Sequence, residues 1–362
     1  MDLETGTHTL HEILSQPVCW SECLRALEEN DQLGQVSSKI SGAAECLFIG
    51  CGSSYYVAQA AAASWTAITG RGARAVPASE LLLFPQMVLR DARPCQPVLI
   101  SRSGHTSEML RTAEYLELKE DIRTLTITCA SHQPLEQVSS ATLSLPAAGE
   151  ESVVMTRSFT SMLLALQVLA ASVANQATIK KALHQLPAAV RQTIDAVHAR
   201  IRKFAEQSQF ADYVFLGQGP YYAVASESML KVAEMSCSFA QCFHTLEFRH
   251  GPKAIVSPET LITFLLSETG YEAEREVLDE IKSLGGATLV VTNHADNDTR
   301  NAADVLVELG LDVPEIARLA AFVMPAQLLG LFTGLRKGLD PDRPRYLSRA
   351  VVLNQKGMSC LS

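Results

Sequence analysis

The sequence lacks the features that mark several common classes of protein. None of its apolar runs reaches the roughly eighteen residues that a membrane-spanning helix needs. The beginning, MDLETGTHTLHEIL, is acidic and has no basic segment followed by an apolar run, so we expect no signal peptide. The formal net charge of −9 at pH 7 would be repelled by a phosphate backbone. We therefore expect a protein that binds neither membranes nor nucleic acids.

Signatures of metal sites and disulfide frameworks are missing as well. The nine cysteines include no CxxC pair and no Cys/His cluster at zinc spacing. Their odd number, and the apolar strand-like runs that hold several of them, indicate reduced thiols. The sequence therefore predicts a cytoplasmic location and neither a metal nor a cofactor.

What the sequence does contain is an internal repeat. The 362 residues, 47% of them hydrophobic and 19% charged, suit a globular protein with two domains. Four strand-like segments recur at a nearly constant distance, and the glycines that end the first pair, Gly50 and Gly217, lie 167 residues apart. The pairs are 46–49 with 214–216, 98–100 with 264–266, 124–128 with 288–292, and 142–145 with 305–308. The strands alternate with helical segments, which predicts a tandem duplication of an α/β unit with a parallel sheet.

The glycine turns after the first strand of each copy do not fit a nucleotide site. A dinucleotide fingerprint GxGxxG would need a third glycine where the copies have Tyr55 and Tyr222, and no GxxxxGK[ST] occurs. We therefore reject both a dinucleotide fold and a nucleotide P-loop.

Copy one carries a hydroxyl-rich segment, SRSGHTS (101–107), after a strand and at the start of a helix. Backbone N–H groups at a helix N-terminus, together with hydroxyl donors, form an anion site without net positive charge. Ser53 and Ser54, after the neighbouring strand, would add donors. Such residues also cap ordinary helices, but two of these loops together favour a phosphate monoester. The equivalent segment of copy two, 268–272, is acidic and has lost this character.

Copy two carries a stretch with acid–base character instead. Glu227, Lys231 and Glu234 are spaced i, i+4 and i+7 and share one face of a mostly apolar helix. His250 follows on a loop that Gly251-Pro252 would stiffen. Such groups could supply general acid–base chemistry. The alternative interpretation is a surface ion pair with an incidental histidine.

Taken together, these motifs resemble the sugar isomerase (SIS) family. SRSGHTS resembles its Ser-x-Ser-Gly-x-Thr phosphate loop, and residues 227–252 resemble the Lys-x-x-Glu and His-Gly-Pro signature of the isomerase half of glucosamine-6-phosphate synthase. GCGSSYY (50–56), TRSFT (156–160) and DRPRYLS (342–348) extend the resemblance over essentially the whole chain.

The resemblance implies two tandem SIS domains, each a flavodoxin-like three-layer αβα unit around a parallel sheet. The expected divisions are an N-terminal helical arm (1–34), a first domain with the phosphate loop (35–200), a second domain with the acid–base stretch (201–345), and a C-terminal tail that closes over the site (346–362).

The same resemblance implies roles for individual residues. Ser54, Ser101, Arg102, Ser103 and Thr106 would bind the phosphate, although the synthase has a glutamine in place of Arg102. Val153 and Met155 would lie where the synthase contacts the sugar. Glu234 would move a proton between C1 and C2, and Lys231 would contact the open-chain hydroxyls or the enediol oxygen. His250 would open the sugar ring from the neighbouring subunit of a homodimer.

Two departures from the synthase limit the reaction. We expect no glutaminase domain, since Asp2 stands where that domain has its N-terminal cysteine, so the chain would not release ammonia from glutamine. Arg349 replaces a lysine near the C-terminus, and an arginine cannot form a Schiff base. Arg349 or Lys231 could still offset the charge of an enediolate.

The leading hypothesis is an isomerase or deaminase that converts glucosamine-6-phosphate to fructose-6-phosphate and ammonia. Alternatives within the same chemistry are a fructosamine-6-phosphate deglycase and another ketose/aldose phosphate isomerase. A third hypothesis is a non-catalytic sugar-phosphate sensor. The presence of Glu234 and His250, and the absence of a helix-turn-helix domain before residue 35, argue against it.

Overall fold

The structure is a computed structural model that describes residues 5–89 and 95–353, and within them the chain forms two sheets of five parallel strands. The first sheet contains β1 (Glu45–Gly50), β2 (Gly72–Pro77), β3 (Cys95–Ile100), β4 (Leu125–Thr128) and β5 (Ala141–Ser144), in the order β2-β1-β3-β4-β5. The second contains β6 (Asp212–Gly217), β7 (Phe239–Phe243), β8 (Thr260–Leu265), β9 (Ala287–Thr292) and β10 (Val305–Glu308), in the order β10-β9-β8-β6-β7. Read from the opposite edge, the second order equals the first. Both are flavodoxin-like, which confirms the predicted fold class.

Helices connect the strands. Copy one and the segment before it contain α1 (Thr7–Leu14), α2 (Gln16–Glu29), α3 (Gln32–Ile40), α4 (Ser53–Thr69), α5 (Ala78–Leu83), α6 (Pro85–Val88), α7 (Ser107–Glu120), α8 (Pro134–Gln137) and α9 (Arg157–Val173). The remainder contains α10 (Ala177–Gln207), α11 (Tyr221–Ser236), α12 (Tyr271–Ser283), α13 (Asn297–Ala302), α14 (Leu319–Phe322) and α15 (Met324–Arg336). Helix α3 continues past the predicted end of the arm at residue 34, because Leu33, Val36 and Ile40 form a buried stripe.

All eight predicted strands are present, and two strands were missed. β2 (GARAVP) and β7 (FAQCF) lie at equivalent edges of the two sheets. β2 is mostly exposed or half-buried, and β7 has no fully buried residue. An edge strand lacks a neighbour on one side and needs no continuous apolar run. The edge strands β5 and β10 were still found because they recur at the repeat offset, whereas β2 and β7 share no such pattern.

The duplication extends to individual hydrogen bonds. Gly104 N donates to Ser101 Oγ at 3.2 Å, and Gly270 N donates to Ser267 Oγ at 2.9 Å. After the first strand of each copy, a glycine lies against the helix that follows. A Cβ atom on Gly50 or on Gly217 would come within 2.4 Å of a backbone oxygen of that helix. The two copies therefore share their turn geometry as well as their strand order.

By contacts, the chain divides into two compact units. The first unit comprises Val18–Glu150, Arg157–His184 and Ser348–Ser362, and its core cluster includes Leu47, Leu99 and Leu116. The second unit comprises Met1–Pro17, Glu151–Thr156 and Gln185–Leu347, and its core cluster includes Val214, Phe264 and Val290. The start of the predicted arm thus belongs by contacts to the second unit. The predicted domain bounds remain a prediction.

Among the described residues, one helical segment, Glu315–Arg336, is long and apolar enough to cross a membrane by length and composition alone. Within its most apolar window, 94% is buried inside the structure, a pattern shared by the core helices of globular proteins. The predicted roles of Asp2 and of the last part of the tail, 354–362, lie outside the described residues.

Candidate active site

The loop between β3 and α7 holds the serines and the threonine that the sequence singled out for phosphate binding. The turn is closed by the bond from Gly104 N to Ser101 Oγ, and Gly104 has a φ of +66° that a larger residue would adopt with strain. Ser103 Oγ and Thr106 Oγ1 lie 3.5 Å apart, and both side chains are half-buried. Helix α7 begins at Ser107, so its first N–H groups and its positive dipole end face this loop.

Ser53 and Ser54 open α4, directly after β1, and are 7% and 6% exposed. Because β1 and β3 are neighbours at the point where the strand order reverses, their loops share the carboxyl edge of the first sheet. This edge is where ligands of such sheets bind. Burial raises the pKa of the Cys51 thiol, in the same loop, to about 12, which disfavours the thiolate form at neutral pH.

Arg102 is engaged within its own unit. Its Nη1 donates to Glu150 Oε2 at 3.1 Å, and the Glu150 side chain is fully buried. Glu150 also accepts hydrogen bonds from Ser158 N at 3.1 Å and from Ser158 Oγ at 2.5 Å. Glu150 therefore offsets the charge of Arg102.

The described part of the tail contacts the loop through its backbone. Ser107 N donates to Val351 O at 3.2 Å, and Leu353 N donates to Ser107 Oγ at 3.0 Å. Arg102 Nη2 donates to Arg349 O at 3.0 Å, whereas Arg349 itself is exposed. Closure of the tail over a bound substrate, and a role for the Arg349 side chain, stay predictions.

The acid–base stretch of the second unit is built around a buried lysine. Lys231 Nζ lies 2.5 Å from Glu234 Oε2 and 3.3 Å from Glu227 Oε1. The side chains of Lys231 and Glu227 are fully buried, whereas that of Glu234 is 19% exposed. Burial alone would lower the pKa of Lys231, but the two carboxylates outweigh it and raise that pKa. Lys231 is therefore an ammonium group, and Glu234 is the member of the triad that solvent reaches.

Close packing of α15 against α11 explains this burial. A Cβ atom on Gly330 would lie 2.8 Å from Lys231 O, and one on Gly334 would lie 2.2 Å from Met235 O. Glycine at these two positions lets the helices approach and removes Lys231 from water. The alternative of a surface ion pair is wrong for Lys231 and Glu227.

Glu234 lies far from the carboxyl edge of its own sheet. It comes thirteen residues after Tyr221, the first residue of α11, which corresponds to about 20 Å of helix. The loops after β6 and β8 are at the beginning of that helix. Copy two therefore holds its acid–base triad and its strand-end loops in separate places.

His250 follows a short 3₁₀ segment, Glu247–Arg249, and is exposed. Its backbone N donates to Glu247 O at 3.0 Å, and Gly251 adopts a φ of +129° directly after it. Within one chain, the described contacts do not bring the imidazole to Lys231 or Glu234. Its supply from a neighbouring subunit stays a prediction.

Val153 and Met155 lie in a segment held by a network of buried polar groups that sequence reasoning missed. Glu12 Oε1 accepts hydrogen bonds from the backbone N–H of residue 151 at 2.5 Å and of Ser152 at 3.2 Å. Val153 N donates to Asp342 O at 2.9 Å. Glu12 and Asp342 are 2% and 6% exposed. The available signals were the position of Glu12 within an apolar helical stripe and that of Asp342 at the start of the motif 342–348. The described residues contain no cluster of three or more potential metal ligands.

Residues 39–172 and 212–330, more than half of the chain, match the family profile of the SIS domain. Glutamine–fructose-6-phosphate aminotransferase (isomerizing) from Vibrio cholerae is 28% identical over 321 residues, which is 84% of this chain and 51% of that protein. The enzyme of the same name from Shewanella oneidensis is 28% identical over 373 residues, covering 96% of this chain and 59% of that protein. The chain thus spans little more than half the length of these curated relatives.

Two solved structures resemble the whole fold. Glucosamine-6-phosphate deaminase from Thermotoga maritima is 31% identical with a TM-score of 0.81, and the match covers 96% of this chain and 100% of that one. Tagatose-6-phosphate ketose/aldose isomerase from Escherichia coli has a TM-score of 0.83, with 96% of both chains covered, but is only 22% identical. The second similarity speaks to the fold alone.

Proposed function

The chain belongs to the SIS domain family, and on that premise we propose that it is a phosphosugar isomerase that deaminates glucosamine-6-phosphate. Its likeness to the deaminase from Thermotoga maritima, at 31% identity, supports an enzyme that acts on a phosphosugar. The similarity to the Thermotoga maritima deaminase along the full length of that chain favours deamination among the reactions considered.

The observation that carries this proposal is the buried triad on α11. Three charged groups on an apolar helix cost stability unless they pair or do chemistry, and here they leave one carboxylate accessible. Lys231 holds Oε2 of Glu234 and so fixes the orientation of that carboxylate. An oriented, accessible carboxylate is suited to a general base. Because Lys231 is fully buried, it acts through Glu234 in this state and not by direct contact with substrate.

The proposed reaction balances without a cofactor. Glu234 removes the C2 proton of the open-chain aldehyde while the aldehyde oxygen takes up a proton, which gives an enolamine. The proton on Glu234 then goes to C1 while the C2 amine gives up one proton, which leaves a ketose imine. Water then adds to the imine carbon, ammonia leaves, and fructose-6-phosphate remains. Ser54, Ser101, Ser103 and Thr106, with backbone N–H groups of the loop that leads into α7, hold the phosphate.

A substrate panel tests the proposal directly. The purified protein is incubated with glucosamine-6-phosphate, tagatose-6-phosphate and a fructosamine-6-phosphate, and ammonia, isomer and free amino acid are measured. We expect ammonia and fructose-6-phosphate in equal amounts from the first substrate. Release of an amino acid from the third would identify a deglycase. Binding without turnover of any substrate would favour the sensor and would contradict the proposal.

The role of His250 is tested by mixing two inactive variants. If the imidazole serves the neighbouring subunit, Glu234→Gln and His250→Ala each inactivate the enzyme, but a hybrid dimer contains one complete site. Random reassociation should then restore about a quarter of the wild-type activity, because half of the dimers are hybrids with one working site of two. If mixing restores no activity although exchange of labelled subunits is observed, both residues act within one chain.

A further inference from the structure

The second copy retains the turn that forms the phosphate loop of the first copy. Ser267 accepts a hydrogen bond from Gly270 N, as Ser101 does from Gly104 N, and each turn leads into a helix of thirteen residues or more. Thr269 occupies the position of Ser103, so a hydroxyl is kept there as well. Backbone geometry for anion binding is therefore present in both copies, although the acidic sequence of the second suggested its loss.

A carboxylate occupies the second loop. Glu315 Oε1 accepts hydrogen bonds from Glu268 N at 2.6 Å and from Thr269 N at 3.4 Å, and Glu315 Oε2 accepts from Thr269 Oγ1 at 2.6 Å. Two backbone N–H groups and one hydroxyl thus converge on a single anionic group. This is the donor set that an oxyanion takes at the beginning of a helix.

The charged side chain of Glu268, in the second loop, is neutralised by a different residue, Arg318. Arg318, which is 6% exposed, pairs with the carboxylate of Glu268 and also donates to Val313 O at 2.6 Å. The negative charge of Glu268 is thereby held by a buried guanidinium. The acidic side chain of the loop therefore does not prevent its backbone from binding an anion.

The first copy has a glutamate at the corresponding position but uses it differently. Glu150 lies 165 residues before Glu315, in line with the offset of the repeat. Its carboxylate accepts from Ser158 and from the Arg102 side chain. The two glutamates therefore occupy equivalent places in the repeat and bind different partners.

We propose that Glu315 is an intramolecular ligand of the second loop, a carboxylate that takes the place an oxyanion such as phosphate would otherwise occupy. The loop keeps its anion-binding geometry because Glu315 supplies the anion. Each chain then binds phosphate only at its first loop. The statement that phosphate binds at the first loop rests on the proposed function. The statement that Glu315 occupies the second loop does not depend on it.

The test replaces Glu315 and offers inorganic phosphate instead. In Glu315→Ala we expect a lower Tm than in the wild type, and a dose-dependent rise of Tm with sodium phosphate or sulfate at constant ionic strength. Glu315→Asp retains a carboxylate and should respond less. Glu272→Ala is the matched control, because its carboxylate lies at the start of the same helix, is 81% exposed and pairs with Arg275. It should respond as the wild type does.

The measurement is repeated in a Ser103→Ala/Thr106→Ala background, which disables the first loop. A phosphate response of Glu315→Ala that persists there belongs to the second loop, even if the first loop binds no phosphosugar. Calorimetric titration should count one more phosphate per chain with Glu315→Ala than without it. If phosphate stabilises Glu315→Ala no more than it stabilises Glu272→Ala, the second loop is not an anion site and the proposal is wrong.

Discussion

The two copies share a fold and differ in the groups that their equivalent positions present. With the repeat offset of 167, Glu227, Lys231 and Glu234 of α11 correspond to Ala60, Ser64 and Ala67 of α4. Burial follows the same order in both helices, since the first two positions are buried and the third reaches solvent. Copy one fills these positions with small residues, whereas copy two fills them with an ion triad.

This difference argues that the triad has a function. Small residues at the same positions of α4 make a well-packed helix, so the fold itself does not require charges there. A buried lysine between two carboxylates carries a large desolvation cost and gives at best a modest gain in stability. A sequence that keeps such a triad in one copy only is best explained by chemistry in that copy.

The largest expected effect follows from Glu234→Gln. The amide cannot accept the substrate proton, so we expect kcat for glucosamine-6-phosphate to fall by about 10²–10⁴-fold, with little change in phosphosugar affinity. Steady-state kinetics and direct binding measurements separate the two parameters.

Glu227→Gln is the matched control for that variant. It removes the fully buried carboxylate and leaves the Lys231–Glu234 pair in place, so kcat should stay within about tenfold of the wild type. Equal losses in both variants would mean that the triad is structural and that proton transfer occurs elsewhere.

A smaller effect concerns stability and pH at a second pair of equivalent glutamates. Glu274 of α12 is fully buried, whereas Glu108, at the same place in α7, is half-buried. Burial raises the pKa of Glu274 from 4.5 to about 7, although hydrogen bonds from Ser267 and Thr245 oppose it. The folded state therefore binds a proton more tightly than the unfolded state, and this contribution is lost as the pH rises from about 4.5 through 7.

Glu274→Gln should remove that dependence. Relative to this variant, the wild-type free energy of unfolding should fall by on the order of 3 kcal/mol between pH 4.5 and pH 8. Denaturant titrations at several pH values measure the difference. Glu108→Gln, at the equivalent and half-buried position, is the matched control variant. Parallel profiles for the wild type and Glu274→Gln would show that the buried carboxyl does not titrate in this range.

The sequence predicted most of the strands, because their segments form recurring patterns of apolar residues. The eight strands it identified recur in pairs at the repeat offset, and β5 and β10 were found in this way although they lie at sheet edges. β2 (GARAVP) and β7 (FAQCF), at the opposite edges, have neither a buried apolar run nor a shared pattern. The buried roles of Glu12 and Glu150, and the contact of Glu315 with the second loop, could not be predicted. The sequence does not show whether a glutamate faces water or accepts hydrogen bonds from distant backbone N–H groups. The partner of Glu12 lies more than a hundred residues away, and that of Glu315 lies nearly fifty residues away.

The smallest expected effect distinguishes the two loops at one hydroxyl. Ser103 and Thr269 are equivalent in the repeat, but Thr269 Oγ1 already donates to Glu315 Oε2 at 2.6 Å. If the first loop binds the substrate phosphate, Ser103→Ala loses one hydrogen bond to a charged group, and KM should rise about tenfold with kcat nearly unchanged. Thr269→Ala, in the second loop, should leave both parameters unchanged, because the hydroxyl of Thr269 donates to the carboxylate of Glu315. A rise of KM in Thr269→Ala equal to that in Ser103→Ala would mean that both loops bind substrate. The proposal that only the first loop binds the phosphate would then be wrong.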